Sequence, residues 1–405
     1  MNKNQKKAVG IFFAVMALTG LGLGLSDSVF ANYFKDAYQV DAFQRGIIEV
    51  PRESPGILTL FVISALAFMG DLKLSIAAQI LSVLGLVVLG LFTPAFGVML
   101  VFLFINSLGM HMFMPLGDSL GLSLAGKSSI GTMMGRFSGI RTAFAMTAGI
   151  LVFAGFKTGF FSFTTPVKSI FLIAAFLLAV VVVLLIALQR MDGELGKPKK
   201  VRLLIKKEYR TFYLIAILFG ARKQIMYVYG PWVLIELLGF GADTMALLAI
   251  AGAAIGIFFI PAVGRWIDRY GTARIMTVEA GCFFVIYIAY GVLSAGLNNG
   301  FFLAAGITVI IAFGLNMIDR MTMQFSLVRA VYMRQIALSD DDVTPTLSLG
   351  LSLDHTLSIL SAILCGWLWR ELGPQSVFVF AALLSIANMA VARYLHKKEK
   401  SKITS

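Results

Sequence analysis

Residues 264–274 read Gly264-Arg265-Trp266-Ile267-Asp268-Arg269-Tyr270-Gly271-Thr272-Ala273-Arg274. This charged island separates two apolar stretches, roughly 244–263 and 275–296. Each is close to the ~20 residues that a helix needs to cross a bilayer. The island leaves room only for a tight hairpin between antiparallel helices. Gly271 permits the turn, because glycine adopts backbone angles that other residues avoid. Gly264 is expected to let two helices approach closely. Asp268 can pair with a basic group and accept from a neighbouring helix N-terminus. Such a set can latch one side of a helical bundle.

The rest of the chain repeats the alternation of long apolar run and short polar joint. Of its 405 residues, 59% are hydrophobic and only 14% charged, with a mean hydropathy of +0.87. A soluble protein covers its surface with roughly a quarter charged residues, so the solvent of this chain is mostly lipid. The formal net charge of +13 would suit a nucleic-acid binder only if it gathered on one soluble face, and no stretch is large enough to fold as a soluble domain. Cys282 and Cys365 each lie inside an apolar run and are read as packing residues, with no disulfide framework or metal-ligand spacing. The N-terminal MNKNQKK precedes an apolar run from about 8 to 34. That run is too long for the core of a signal peptide and contains Asp27, so it is read as the first membrane helix.

Twelve spans can be read, at roughly 8–34, 46–68, 74–93, 97–124, 137–156, 167–188, 211–238, 244–263, 275–296, 300–326, 345–369 and 374–395. The one long hydrophilic segment, 189–210, divides them into an N-terminal six-helix bundle (1–188) and a C-terminal six-helix bundle with a short tail (211–405). The fold class is therefore an all-α membrane protein of twelve transmembrane helices in two pseudo-symmetric bundles. Lys3, Lys6 and Lys7, the basic central segment, Arg265, Arg269 and Arg274, and the Lys-rich tail share one side, while the loops near Pro94, Gly241 and Asn298 carry no Lys or Arg. The positive-inside rule then places both termini in the cytoplasm. Short loops and Lys-rich ends suggest a bacterial cytoplasmic membrane.

Six plus six spans around a basic central loop, together with Gly264, Asp268, Arg269, Gly271 and Arg274 in the joint after span eight, resemble the major facilitator superfamily and its G-x-x-x-D-R-x-G-x-R/K loop. The related loop expected between spans two and three is reduced here to Gly70 and Asp71 within Met69-Gly70-Asp71-Leu72-Lys73. Span four, Asn106-Ser107-Leu108-Gly109-Met110-His111, lacks the arginine of many proton-coupled members. Span five, Gly139 to Gly149, lacks the proline of drug/proton antiporters. Gly135-Arg136 through Arg141 is loosely similar to a junction in sugar and nucleoside symporters. The resemblance implies two bundles rocking around a midplane site, with the Asp268 loop as a cytoplasmic latch. It puts spans one, two, seven and eight at the outer gate, so that Asp27 and span two would line the outer half of the path.

Charges inside the spans are the site candidates, since each costs at least about 2.5–3.5 kcal/mol at mid-bilayer on insertion scales. Arg222 and Lys223 lie halfway along span seven and attract an anion, but point about 100° apart. One is expected to face the cavity while the other pairs with an acid. Asp319 and Arg320 in span ten, and Asp354 and His355 in span eleven, either neutralise these cations or carry protons. Glu49, Arg52 and Glu53 share one face of span two, beside Pro51 and Pro55. Asp118, Arg136 and Arg141 are expected at the cytoplasmic gate, and Glu279 and Arg329 as latch or interface charges.

The reading is a secondary transporter. Arg52, Arg222, Lys223, Arg320 and His355 would bind a small polar, anionic organic solute. Asp27, Glu49, Glu53, Asp319 and Asp354 would couple protons or another ion. A phosphate-binding loop, paired catalytic carboxylates in a soluble domain and a nucleophile elbow are all missing from the sequence, so neither an enzyme nor an ATP-driven pump is expected. No cofactor, metal or nucleic-acid partner is expected; the partners are solute, coupling ion and membrane lipid, with the monomer as the functional unit. The alternatives are a proton-linked exporter of drugs or amphipathic solutes, and a non-transporting receptor or sensor on the same fold.

Overall fold

The computed structural model describes residues 3–124, 130–191 and 205–404. Part of the central basic segment, 192–204, lies outside them. All regular structure among the described residues is helical. The helices are α1 (Lys3–Asp27), α2 (Phe30–Tyr38), α3 (Ala42–Ala65), α4 (Asp71–Leu91), α5 (Phe96–Leu124), α6 (Ile130–Lys157) and α7 (Ser169–Met191). They continue with α8 (Arg210–Trp232), α9 (Ala242–Tyr270), α10 (Thr272–Asn298), α11 (Ile307–Met323), α12 (Leu327–Ile336), α13 (Asp340–Leu372) and α14 (Pro374–Thr404).

Eight described helical segments, with α1 and α2 counted as one, are long and apolar enough to cross a membrane, and α9, bent between Gly256 and Phe258, makes a ninth. The remaining crossings are α3, α8 and the α11–α12 pair. They fall short because of what they carry. Arg45, Glu49, Arg52 and Glu53 interrupt α3, and Arg222, Lys223 and Gln224 interrupt α8. α11 has 17 residues and passes into α12 through a 3-10 turn, Gln324–Ser326. These three spans thus hold most of the candidate solute-binding and coupling residues.

The chain divides into two compact units. The first comprises Met1–Gln39, Pro51–Val201 and Ala242–Leu247; the second comprises Val40–Val50, Arg202–Gly241 and Leu248–Ser405. The first turns of α3 therefore belong with the second unit and the first turn of α9 with the first.

Within the first unit α1 packs on α6 and α7, and α4 on α5 and α7. Lipid tails are as apolar as leucine, so dispersion, close approach and hydrogen bonds hold such helices together. Phe12 meets Phe137 edge-on at 4.8 Å. The Asn106 amide of α5 donates to the Ser82 carbonyl of α4 at 3.2 Å. Between α1 and α2 the helix breaks at Ser28–Val29, where the Ser26 and Ser28 hydroxyls turn back to the Gly22 and Gly24 carbonyls. Such back-bonding bends helices. Ahead of α7, the Lys168 ammonium donates to Thr93 Oγ1 at 2.5 Å and to the Thr165 carbonyl at 2.6 Å. Its backbone N–H donates to the Gly90 carbonyl, tying the α6–α7 loop to the end of α4.

In the second unit α10 packs on α14 and α8 on α13, over a core that includes Phe212, Val263, Val328 and Leu395. At the head of α8, outside the membrane spans, Asp342 accepts from Lys206 Nζ at 2.6 Å and from the Tyr209 hydroxyl at 2.5 Å. The Tyr209 oxygen in turn accepts from the Leu338 N–H at 2.9 Å. Lys206 and then Tyr209 hold the Asp342 carboxyl below the usual carboxylate range. A carboxyl whose pKa is lowered by folding stabilises the fold above its unfolded pKa, about 3.9, and that contribution is lost as pH falls through the folded value. Asp342→Asn is expected to lower the melting temperature of the purified protein at pH 7. Its deficit relative to the parent protein should shrink as pH falls below about 4, which a pH series of thermal melts will read.

Candidate functional site

The second unit buries a file of ion pairs along α8. Arg222 Nη2 donates to Glu279 Oε1 of α10 at 2.7 Å, and its guanidinium lies 3.6 Å from the Phe283 ring centroid. One residue on, Lys223 Nζ reaches Asp354 Oδ1 of α13 at 2.9 Å. The 100° turn between adjacent helical residues thus sends the two cations to different helices. Ser358 Oγ donates to Asp354 Oδ1 and lies equally close, at 3.2 Å, to the Gly220 carbonyl. Gly220 makes this meeting possible, since a Cβ there would lie 2.7 Å from the Asp354 Cα. His355 is buried beside Asp354.

Asp319 of α11 is 7% exposed, and its Oδ1 has no hydrogen-bond partner among the described residues. It lies within electrostatic reach of Arg222 and Arg320. Arg320 Nε donates to Asn316 Oδ1 one turn earlier, at 3.0 Å. A third buried group forms where the first turns of α3 join this unit. Arg45 donates to Glu49 Oε1 at 2.5 Å, and Gln224 Nε2 of α8 donates to Glu49 Oε2 at 2.7 Å. Glu49 is fully buried and Arg45 is 2% exposed.

In the first unit, Arg52 lies within electrostatic reach of Asp27, with its guanidinium carbon 5.7 Å from the Phe30 ring centroid. Its carbonyl accepts from Ser107 Oγ of α5 at 2.5 Å, and the Ser107 carbonyl lies 2.9 Å from His111 Nδ1. Glu53 follows on the same helix. Asp118 and Arg141 line one small cavity with Phe12 and Phe137, while Arg136 is exposed.

The 264–274 joint shows one expected feature and lacks two. Gly271 takes φ +81° and links α9 to α10, the left-handed backbone that the turn requires. A Cβ on Gly264 would meet nothing within 4 Å, so close helix approach is not what this glycine provides. Asp268, Arg269 and Arg274 are exposed, and Asp268 makes no hydrogen bond or ion pair among the described residues. Glu279, expected as a latch or interface charge, is instead 8% exposed and committed to Arg222. Arg45 and Gln224 escaped the sequence reading; the i, i+4 spacing of Arg45 and Glu49 was the available signal.

The family model described as Major Facilitator Superfamily matches residues 12–337. This chain belongs to the major facilitator superfamily. It is accordingly an integral multi-pass membrane protein and a secondary transporter of a small-molecule solute, in a family of transporters and not of enzymes. No curated protein sequence matches it. Solved structures with the same fold include a mutant of the nucleoside transporter NupG, 14% identical, covering 95% of this chain and 99% of its own, with a TM-score of 0.75. A POT family transporter in complex with a thioalcohol-conjugated peptide is 13% identical, covers 98% and 97%, and also scores 0.75. A bacterial homologue of the iron transporter ferroportin is 16% identical, covers 96% and 100%, and scores 0.68. Their cargoes differ from one another, and at these identities they establish the fold alone.

The contact at Gly220 generates a test. Adding a methyl group forces α8 away from α13 at the Lys223–Asp354 pair. Gly220→Ala is expected to destabilise the purified protein by about 1–3 kcal/mol, the usual range for overpacking, and Gly220→Val by more. Thermal melts in detergent will read both; unchanged melts would mean that the helices part without loss.

Proposed function

We propose that this transporter moves a small anionic organic solute by alternating access, coupled to protons. The observation that supports this most is the Lys223–Asp354 pair. Lys223 keeps 23% of its side chain exposed, against 2% and 3% for Arg45 and Arg222 in their own pairs. It is therefore the buried-pair cation that an incoming anion reaches. Lysine is a compact point charge on a flexible stem, suited to changing partners.

The exchange follows from solvation. When a solute anion takes Lys223, Asp354 loses its cation while remaining buried. Asp354, the carboxylate that Lys223 leaves, is the proposed proton carrier of the pair, loaded as the solute binds and emptied as the pair re-forms. One anion and one proton then travel together. Asp319, with one oxygen unpartnered, is a second proton carrier, and Arg320 and His355 are further solute contacts. Arg222 is closed off by Glu279, so the solute-facing role falls to Lys223. In the first unit Arg52 is the candidate solute contact, with Asp27, Glu49 and Glu53 as coupling groups; Glu49, although N-terminal in sequence, acts from within the second unit. Asp118, Arg136 and Arg141 are the candidate gate charges of the first unit, and the 264–274 joint is that of the second. The Lys and Arg distribution supports cytoplasmic termini in a bacterial inner membrane, and the monomer is the working unit.

The test is uptake into proteoliposomes under an imposed pH gradient, with pooled organic acids, sugar phosphates, sugars, nucleosides and cationic dyes. An anion is expected to accumulate along with protons. Lys223→Gln should raise its KM by about tenfold or more, the equivalent of ~1.4 kcal/mol, and Asp354→Asn should remove gradient-driven accumulation while leaving exchange. Movement of dyes or neutral sugars alone would contradict the proposal.

A further inference from the structure

Arg222 and Lys223 reach different helices, and a cavity outside the proposed transport site lies on the Arg222 side. It lies inside the second unit, among α8, α10, α12 and α14, lined by Phe219, Arg222, Glu279, Arg329 and Asn388. Apolar side chains such as Ile215, Met276 and Val391 line the rest. The space open to the centre of a water-sized sphere is about 20 Å³. A single water needs roughly 10–15 Å³ by this measure, so there is room for one small body and none for an organic solute.

Beside the Glu279 carboxylate, several donors that line this space lack an acceptor among the described residues. Arg222 is 2% exposed. Its Nη2 is taken by Glu279 and the Tyr287 hydroxyl lies near the guanidinium, while Nε and Nη1 make no hydrogen bond of good geometry among the described residues. Asn388 Nδ2 has none either. The Arg329 guanidinium carbon lies 3.0 Å from the Phe219 ring centroid and that of Arg222 lies 5.3 Å from it, so both cations gather on one ring. Arg329 Nε donates to the Ser326 carbonyl, and the residue makes no ion pair among the described residues. Two guanidiniums thus share one carboxylate, Glu279. The wider surroundings do not restore the balance. Arg222, Lys223, Arg320 and Arg329 stand against Glu279, Asp319 and Asp354, and Asp319 does not hydrogen-bond Arg222.

A buried donor left without an acceptor costs about 1–3 kcal/mol, more when charged. An anion in the cavity would supply acceptors and cancel the excess charge together. The unpartnered atoms that line it, Arg222 Nε and Nη1 and Asn388 Nδ2, are donors, which suits a ligand with no proton to give, and the space suits one of halide size. We propose that this cavity is a binding site for a small inorganic anion of chloride size, held by Arg222, Arg329 and Asn388. It is separate from the solute pair and stands whether or not the transport proposal does.

The test uses the full-length protein in detergent at constant ionic strength, with chloride replaced stepwise by gluconate, which is too large to enter. Chloride and bromide are expected to raise the melting temperature saturably, and equilibrium binding of radioactive chloride to reach one per chain. Asn388→Leu and Arg329→Gln should each weaken chloride binding at least tenfold. Equal melting in chloride and gluconate, with no saturable chloride binding to the parent protein, would overturn the site and leave the cavity to water. Chloride binding unchanged in both variants would overturn its placement. A chloride site that persists in a protein moving no anionic solute would count against the transport proposal only.

Discussion

A charged side chain in hydrocarbon has lost its water and must find a substitute within the protein. The idealised transfer penalty is of order 20 kcal/mol per ion, and several kcal/mol remain after relaxation. No surface term in a membrane bundle is large enough to offset that, so the helices must bring opposite charges together. Arg45 with Glu49, Arg222 with Glu279 and Lys223 with Asp354 are the outcome. Each carboxylate in the list is also where a second helix has to pack. The pairs therefore fix which faces of α8, α10 and α13 meet, and Gly220 lets two of those helices come close enough.

The same constraint separates structure from function within the second unit. A pair with both partners sealed, as in Arg45–Glu49, has nothing to exchange with and serves the fold. A pair with one partner partly open, as in Lys223–Asp354, can trade that partner for a solute charge. Arg222 falls between these cases. It is sealed and holds its acid, yet two of its nitrogens still lack acceptors, which is why the cavity beside it draws a small anion and not a transported one.

The architecture was legible in the sequence because hydropathy acts on stretches of some 20 residues and tolerates uncertain edges. The 264–274 joint was legible as a turn, and Gly271 adopts the backbone that a turn demands. Partners of buried charges were another matter. Arg222 and Glu279 are 57 residues apart, and Gln224 reaches Glu49 across 175. Such pairings are decided by helix rotation and depth, which no local spacing encodes. Depth alone identified Arg222, Lys223 and Asp354 as site candidates, but it misassigned Glu279, which lies only two turns into α10. In α3 the grouping of Glu49, Arg52 and Glu53 drew attention from Arg45, the residue at i−4 that holds Glu49. The role expected of Gly264 failed because glycine marks close approach only when another helix is there. The cargo is illegible for a further reason: this fold hosts nucleoside, peptide and iron transporters, so the site and not the architecture must identify it.

Arg45–Glu49, Arg222–Glu279 and Lys223–Asp354 hold the fold of the second unit as matched charge pairs. A double-mutant cycle on Arg45 and Glu49, read by unfolding of the purified protein in detergent, tests it most directly. Arg45→Gln and Glu49→Gln are each predicted to destabilise by about 3–5 kcal/mol, because each takes the paired charge away from a buried ion. The double variant is predicted to lose far less than the two together. Strictly additive losses, or single variants as stable as the parent, would contradict the claim.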